Sequence, residues 1–171
     1  MVILVFGLPG SGKTTLAAEL AGRLKALYLS SDRVRKEMIR DVSYTPEEKL
    51  AVYERMVELA TEAVVRRDDD VVVDATFHRE DERRLFRKLL SDRTAMYVIE
   101  IRAKEELIRE RLEAPREDSD ADFAVYEKIS AEWEPEFDEH LVLWSERNNL
   151  EELVHEAMDY MHIIYEPISH S

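Results

Sequence analysis

Apolar residues along the chain follow two alternating rhythms. Short unbroken runs at residues 2–6, 26–30, 71–73, 95–101 and 140–144 are rich in β-branched, leucine or aromatic side chains, and they read as buried strands. Between them, apolar positions recur three and four apart, the spacing of a helix with one buried face. Leu16, Leu20 and Leu24 mark the first such helix, Leu50, Tyr53, Met56, Val57, Ala60 and Val64 a long one, and Leu85, Leu89 and Leu90 a third. The long helix has a clear start, with Thr45 and Glu48 in capping-box positions around Pro46, and it runs to about Arg66. Its Tyr and Met residues are read as packing. Further helices are predicted from Ser31, over 104–113, from about Asp120 to Trp133–Pro135, and over 150–161. Strands and helices therefore alternate as βαβααβαβααβα. That order predicts an α/β, three-layer fold with a parallel sheet of about five strands covered by helices, in a single domain over 1–171.

The join between the first strand and the first helix carries the most specific pattern. Gly7, Leu8, Pro9, Gly10, Ser11, Gly12, Lys13 and Thr14 match the phosphate-binding pattern G-x-x-x-x-G-K-[ST] in full, and Thr15 follows in the helix start. Glycines let successive backbone N–H groups turn inward around phosphate oxygens at the positive end of a helix. Lys13 supplies a mobile charge for the β- and γ-phosphates, and the Thr14 hydroxyl is placed to ligate Mg²⁺. Three of the four glycines in the chain stand here. Nucleotide binding is the expectation.

Composition narrows the surroundings of that site. The chain of 171 residues suits one full core, and no apolar run approaches the roughly 20 residues of a membrane span. It has no cysteine, which excludes disulfides and thiolate metal sites, and a cytoplasmic protein away from membranes is expected. A formal net charge of −14 opposes general attraction to nucleic acid. A local basic groove is compatible with it, since Arg33, Arg35, Arg79, Arg83 and Arg84 could gather near one mouth.

Three other stretches bear on chemistry. Asp32 follows the second strand, where open parallel sheets place substrate-handling groups, and Arg35 lies three residues on, on the same side of a helical start. The alternative for Ser31 or Asp32 is a plain helix cap. Asp74 closes the valine run and suits the acid that orders Mg²⁺ or its water shell, with a helix cap as the alternative. Three successive acids at 68–70 are read as a solvated turn, and His78 as a polar loop residue without metal-ligand partners. Two helices flanking the charged turn 114–120 have the look of a lid over about 104–134, with an ordinary helical hairpin as the alternative. Residues 145–148, after the last strand, are placed by the fold near a nucleotide base.

The segments GLPGSGKTTLA (7–17), YLSSDRVRKE (28–37), VYERM (52–56), VVVDATFHRE (71–80) and RERLEAPREDSDAD (109–122) resemble the P-loop kinases of the polynucleotide kinase-like group, which includes zeta-toxin relatives. The resemblance covers nearly the whole chain. It implies a sheet in which the Asp74 strand lies beside the phosphate-loop strand. It also implies Asp32 as general base on an acceptor hydroxyl, Arg35 on the acceptor or the transferring phosphate, and two lid arginines. Arg111 fits the first lid position, while Pro115 occupies the second and Arg116 stands one place late.

The function expected is therefore transfer of the γ-phosphoryl group of ATP, with Mg²⁺, to a hydroxyl of a small metabolite or nucleoside-like acceptor. Lys13, Asp32, Arg35, Arg111 and Arg116 are the expected catalytic set, residues 7–15 the nucleotide cradle, and Thr14 with Asp74 the metal ligands. A polynucleotide 5′-hydroxyl is the second acceptor class, less favoured because of the charge. A nucleotide-gated ATPase module without an acceptor, and a guanine-specific relative, are the other readings.

Overall fold

The computed structural model describes residues 1–67, 69–113 and 121–163. Five strands form one parallel sheet: β1 (Val2–Phe6), β2 (Leu27–Ser30), β3 (Val71–Ala75), β4 (Met96–Arg102) and β5 (Leu141–Trp144), in the order β2-β3-β1-β4-β5. β1 is buried along its whole length because it is central and covered on both faces, as its unbroken apolar run requires. Helices α1 (Lys13–Leu24) and α7 (Leu150–Tyr160) pack on one face with Ile3, Val5, Val72 and Ile99. The opposite face carries α3 (Pro46–Glu62) and α4 (Glu80–Leu90) against Val2, Leu4, Phe6, Val71 and Val73. The remaining helices are α2 (Ser31–Met38), α5 (Glu105–Glu113) and α6 (Phe123–Ala131). Among the described residues no helix is long and apolar enough to cross a membrane.

The strand order has a direct consequence for the site. Asp74 pairs in register with Val5 of β1 on one side and Ser30 of β2 on the other. The carboxyl ends of β1, β3 and β2 thus stand side by side, and the phosphate loop, Asp74 and the Asp32 helix all leave the sheet at one edge.

Several boundaries differ from the sequence reading. α3 does not run on as regular α-helix to Arg66 but ends in a π-helical turn, Ala63–Arg67. α6 stops at Ala131, because Trp133 leaves the helix to stack on Phe6 with ring centroids 5.9 Å apart. The inward stripe of α4 is Arg83, Phe86 and Leu90, while Leu89 is 43% exposed.

Arg83 is also not at the mouth of a basic groove. It is fully buried, lies 5.2 Å from the Phe6 ring centre, and donates to the carbonyls of Phe77, Glu134 and Pro135 at 2.6, 2.8 and 3.1 Å. Its Nε faces the buried Glu136 carboxylate at 3.1 Å. A buried guanidinium is tolerable only when paired and hydrogen-bonded, and these partners meet that condition. The contact fastens α4 to the chain that follows α6, directly under the strand leading to the phosphate loop.

Candidate functional site

The phosphate loop takes its shape from places where a side chain would not fit. A Cβ on Gly7 would meet the Ile101 carbonyl at 2.3 Å, and one on Gly12, at φ 98°, would meet the Ser145 hydroxyl at 2.9 Å. Gly12 is the N-cap of α1 and brings no side chain to the cap, so the first N–H groups of that helix remain available to an anion. Lys13 opens the helix, and Thr14 and Thr15 are exposed in its first turn.

Arg111 closes the other side of this loop. Its Nη1 donates to the carbonyls of Gly10 and Ser11 at 3.2 and 3.1 Å, and its Nη2 to Ser145 Oγ at 3.0 Å and the Glu146 carbonyl at 3.2 Å. Burial lowers its pKa from the ordinary arginine value. Arg111 therefore ties the phosphate loop to the β5–α7 turn, using its donors on backbone carbonyls. Arg116 lies outside the described residues.

Asp74 is buried and carries a divided carboxylate. Its Oδ2 accepts from the Tyr28 hydroxyl at 2.8 Å, while Oδ1 is sealed from solvent and has no hydrogen-bond partner among the described residues. The Tyr28 hydroxyl is pushed well above its usual pKa, by burial first and then by Asp74. α4 is capped at Arg79, so Asp74 does not serve as its cap. An unpartnered buried carboxylate oxygen beside the loop that offers the Thr14 hydroxyl fits the donor set Mg²⁺ prefers, all oxygen and partly water.

Asp32 is not a helix cap either. The N-cap of α2 is Ser30, and it makes no side-chain cap bond. The Asp32 carboxylate instead stands 3.3 Å from Arg35 Nη1. Its pKa is raised above the ordinary carboxyl value: burial is the largest cause, Lys13 and Arg35 oppose it, Asp74 adds to it, and Lys36 opposes. The same set of charges shows what the fold has brought together, since Lys13, Asp74 and Asp32 come from three different elements.

Beyond this group lies a second polar cluster, on the wall formed by α3 and the β3–α4 loop. Lys49 Nζ lies 2.7 Å from His78 Nδ1 and 2.6 Å from Glu82 Oε1. Burial lowers the pKa of both Lys49 and His78; Glu82 opposes it for Lys49, and the neighbouring Lys49 charge adds to it for His78. His78 is thus a buried polar residue whose Nδ1 faces a lysine. Arg79 is exposed and faces Asp81 at 3.5 Å.

Sequence reasoning missed the partners that hold the expected residues: Tyr28 on Asp74, Ser145 on Arg111, and Glu48, whose carboxylate faces Arg35. Tyr28 opens the segment 28–37 and Ser145 follows the last strand, but no spacing signals the contact that either makes. Glu48 had a local explanation as a helix cap, which hid its long-range contact.

Residues 2–139 match the family model described as an AAA domain. The chain belongs to that family. No curated protein is detectably similar to this AAA domain. Among solved structures it resembles a sugar kinase from a Janibacter species (TM-score 0.73, 18% identity, 95% of this chain and 94% of that one). It also resembles the Mycobacterium tuberculosis APS kinase CysC in complex with AMPPNP and APS (0.72, 20%, 94% and 96%). A gluconokinase from Sinorhizobium meliloti is similar as well (0.71, 15%, 94% and 90%). At these identities the likeness establishes a P-loop fold shared over almost the full length of each chain.

Proposed function

We propose that the protein is an ATP-dependent phosphotransferase of the polynucleotide kinase-like group that moves the γ-phosphoryl group to a hydroxyl of a small metabolite or nucleoside-like acceptor. The observation that carries this reading is Asp32: a carboxyl with a raised pKa, paired to Arg35, beside Lys13 and Asp74 at one edge of the sheet. A carboxylate of raised basicity beside the phosphate loop suits proton removal from an attacking hydroxyl. The sugar, gluconate and APS kinases among the structural relatives support a small hydroxylated acceptor.

In this mechanism residues 7–15 bind the phosphates of ATP through backbone N–H groups, and Lys13 adds charge where it develops on the γ-phosphoryl oxygens. Thr14 and Asp74 would hold Mg²⁺, which supplies charge neutralisation on the phosphates. Asp32 takes the proton from the acceptor hydroxyl as that oxygen bonds to the γ-phosphorus and the bond to the β–γ bridging oxygen breaks, releasing ADP. The raised pKa makes the carboxylate a stronger base than an ordinary aspartate. Arg35 orients the carboxylate and the acceptor. The lid is assigned to about 104–134, of which 114–120 lie outside the described residues, and Arg111 anchors its first helix to the phosphate loop.

Arg111 also favours a second reading. Its donors are spent on Gly10, Ser11, Ser145 and Glu146, as a structural tie rather than a γ-phosphate ligand, which suits a slow ATPase module. The two readings part in one assay. Labelled γ-phosphate from Mg·ATP is offered to pooled sugars, nucleosides, aminoglycosides, hydroxyl amino-acid derivatives and 5′-hydroxyl oligonucleotides, with Asp32→Asn as control. A labelled organic product that vanishes in the variant supports the kinase and names its acceptor. Label found only as inorganic phosphate, at the same rate in both proteins, overturns it.

A further inference from the structure

Arg35 has a long, flexible side chain, yet it is only 7% exposed and is constrained from three directions. Nη1 meets Asp32 at 3.3 Å, the Tyr44 ring lies 5.0 Å from the guanidinium carbon, and Nε faces Glu48 Oε1 at 3.0 Å. None of these contacts uses Nη2. Both Nε and Glu48 Oε1 are sealed from solvent and have no hydrogen-bond partner among the described residues, so each depends on the other as an ion pair.

Glu48 sits in the first turn of α3, where the Thr45 hydroxyl already accepts its N–H at 3.2 Å as the helix cap. A plain capping box would turn the Glu carboxylate back to the N–H of Thr45. Here Oε2 reaches further, accepting from the Ser43 N–H at 2.8 Å, the Ser43 hydroxyl at 2.9 Å and the Tyr44 N–H at 3.2 Å. It thereby holds Tyr44, a non-glycine residue at φ 56°, in the left-handed conformation that places its ring over Arg35.

We propose that Glu48 is a positioning residue of the acceptor side: its carboxylate fixes the Arg35 guanidinium beside Asp32 and couples that geometry to the loop between α2 and α3. The role of Arg35 in transfer rests on the phosphotransferase reading; the hold on Arg35 does not. Guanidinium and carboxylate groups prefer a two-bond fork when free to form one. Glu48 competes for the guanidinium from the Nε side, which keeps the Asp32 contact single and long and leaves the Asp32 carboxylate open to a hydroxyl proton. The other charges facing Asp32 are Lys13 and Asp74 from the phosphate-loop side and Lys36 from α2, and none of them reaches Arg35 Nε in place of Glu48. Without the Glu48 charge, Arg35 swings into the fork with Asp32 and the Tyr44 loop loses its anchor.

The test compares full-length Glu48→Gln, Glu48→Asp and Thr45→Ala with the wild type. The first removes the charge at constant shape, the second shortens its reach, and the third breaks the cap alone. The direct readout is the Nε–Hε resonance of Arg35 in ¹⁵N-labelled protein, assigned by its absence in Arg35→Lys. It should be sharp and protected in the wild type and in Thr45→Ala, and lost in Glu48→Gln. The functional readout is labelled-phosphate transfer to the acceptor pool with Mg·ATP binding measured alongside. Turnover should fall about tenfold or more in Glu48→Gln and less in Glu48→Asp, with Mg·ATP affinity within about twofold throughout. An Arg35 resonance unchanged in Glu48→Gln would overturn the proposal. So would loss of resonance and turnover in Thr45→Ala, which would make Glu48 a helix cap. A wild type that phosphorylates nothing would defeat the phosphotransferase reading alone, because the resonance still decides what holds Arg35.

Discussion

The two halves of the site are built by different means. On the nucleotide side, the consecutive residues 7–15 form the cradle, and backbone geometry does the recognising: Gly7 and Gly12 stand where a Cβ would strike Ile101 or Ser145. On the acceptor side, the critical groups are scattered over several elements, with only Asp32 and Arg35 paired by their spacing. Asp32 and Arg35 come from α2, Tyr44 from the following loop, Glu48 and Lys49 from α3, and His78 from the loop after β3. Recognition there is left to side chains that hold one another through paired charges. A backbone cradle suits a ligand part that never changes, whereas a side-chain network can be altered residue by residue to suit a new acceptor.

That contrast predicts different kinds of damage. Lys13→Ala belongs to the nucleotide side and should depress both Mg·ATP binding and transfer, the latter by about 10²–10³; a variant that binds normally would blur the division. Arg83→Met strikes the support beneath both halves. It removes one of the two guanidiniums on the buried Glu136, which keeps Arg87 at 2.6 Å, and leaves the carbonyls of Phe77, Glu134 and Pro135 without their donor, with an expected cost of about 3 kcal/mol or more. Thermal unfolding should then drop by about 6–12 °C at this chain length. Adding Glu136→Leu should recover little, because Arg87 then loses its carboxylate partner and the carbonyls stay without a donor; recovery of most of the loss would mean the Glu136 charge pair, not the carbonyl contacts of Arg83, carries the stability.

A smaller effect concerns Asp32 and pH. Its pKa is raised in the folded protein, so the stability it contributes is fully present below the unfolded carboxyl value and is lost as pH rises through the folded value. Ionised Asp32 therefore works against the fold at neutral pH. Asp32→Asn should be at least as stable as the wild type there, with the difference closing under acid conditions; a destabilised variant at neutral pH contradicts the raised value. The mildest change is Tyr28→Phe, which removes one hydroxyl donor from Asp74 Oδ2. It should cost about 0.5–1.5 kcal/mol and raise the Mg²⁺ concentration needed for half-maximal transfer without altering the acceptor profile.

The same contrast explains what could be read from the chain. The phosphate loop was legible because its determinants are contiguous and flanked by an apolar strand and an amphipathic helix. The five-stranded parallel sheet followed from the alternation of the two hydrophobic rhythms. Asp74 was legible as the polar end of a valine run. Arg83 was not, because an arginine on an amphipathic helix reads as part of the solvent face until Phe6, Phe77 and Glu136 are seen around it. The same residue disguised the inward stripe of α4, drawing Leu89 into a face it does not share. Glu48 was concealed by a sufficient local explanation, and the role of Tyr28 depends on strand order, which places β2 beside β3 rather than β1. Contacts across 46 residues, such as Tyr28 to Asp74, leave no spacing signature.

Asp32 is proposed to serve transfer and not nucleotide binding. Mg·ATP affinity and single-turnover transfer, measured on the same preparations of wild type and Asp32→Asn with the acceptor found in the pooled assay, test this directly. Affinity should change by less than about threefold while transfer falls by about 10²–10⁴. Equal losses in the two quantities would place Asp32 in the nucleotide site and contradict the division on which the proposed function rests.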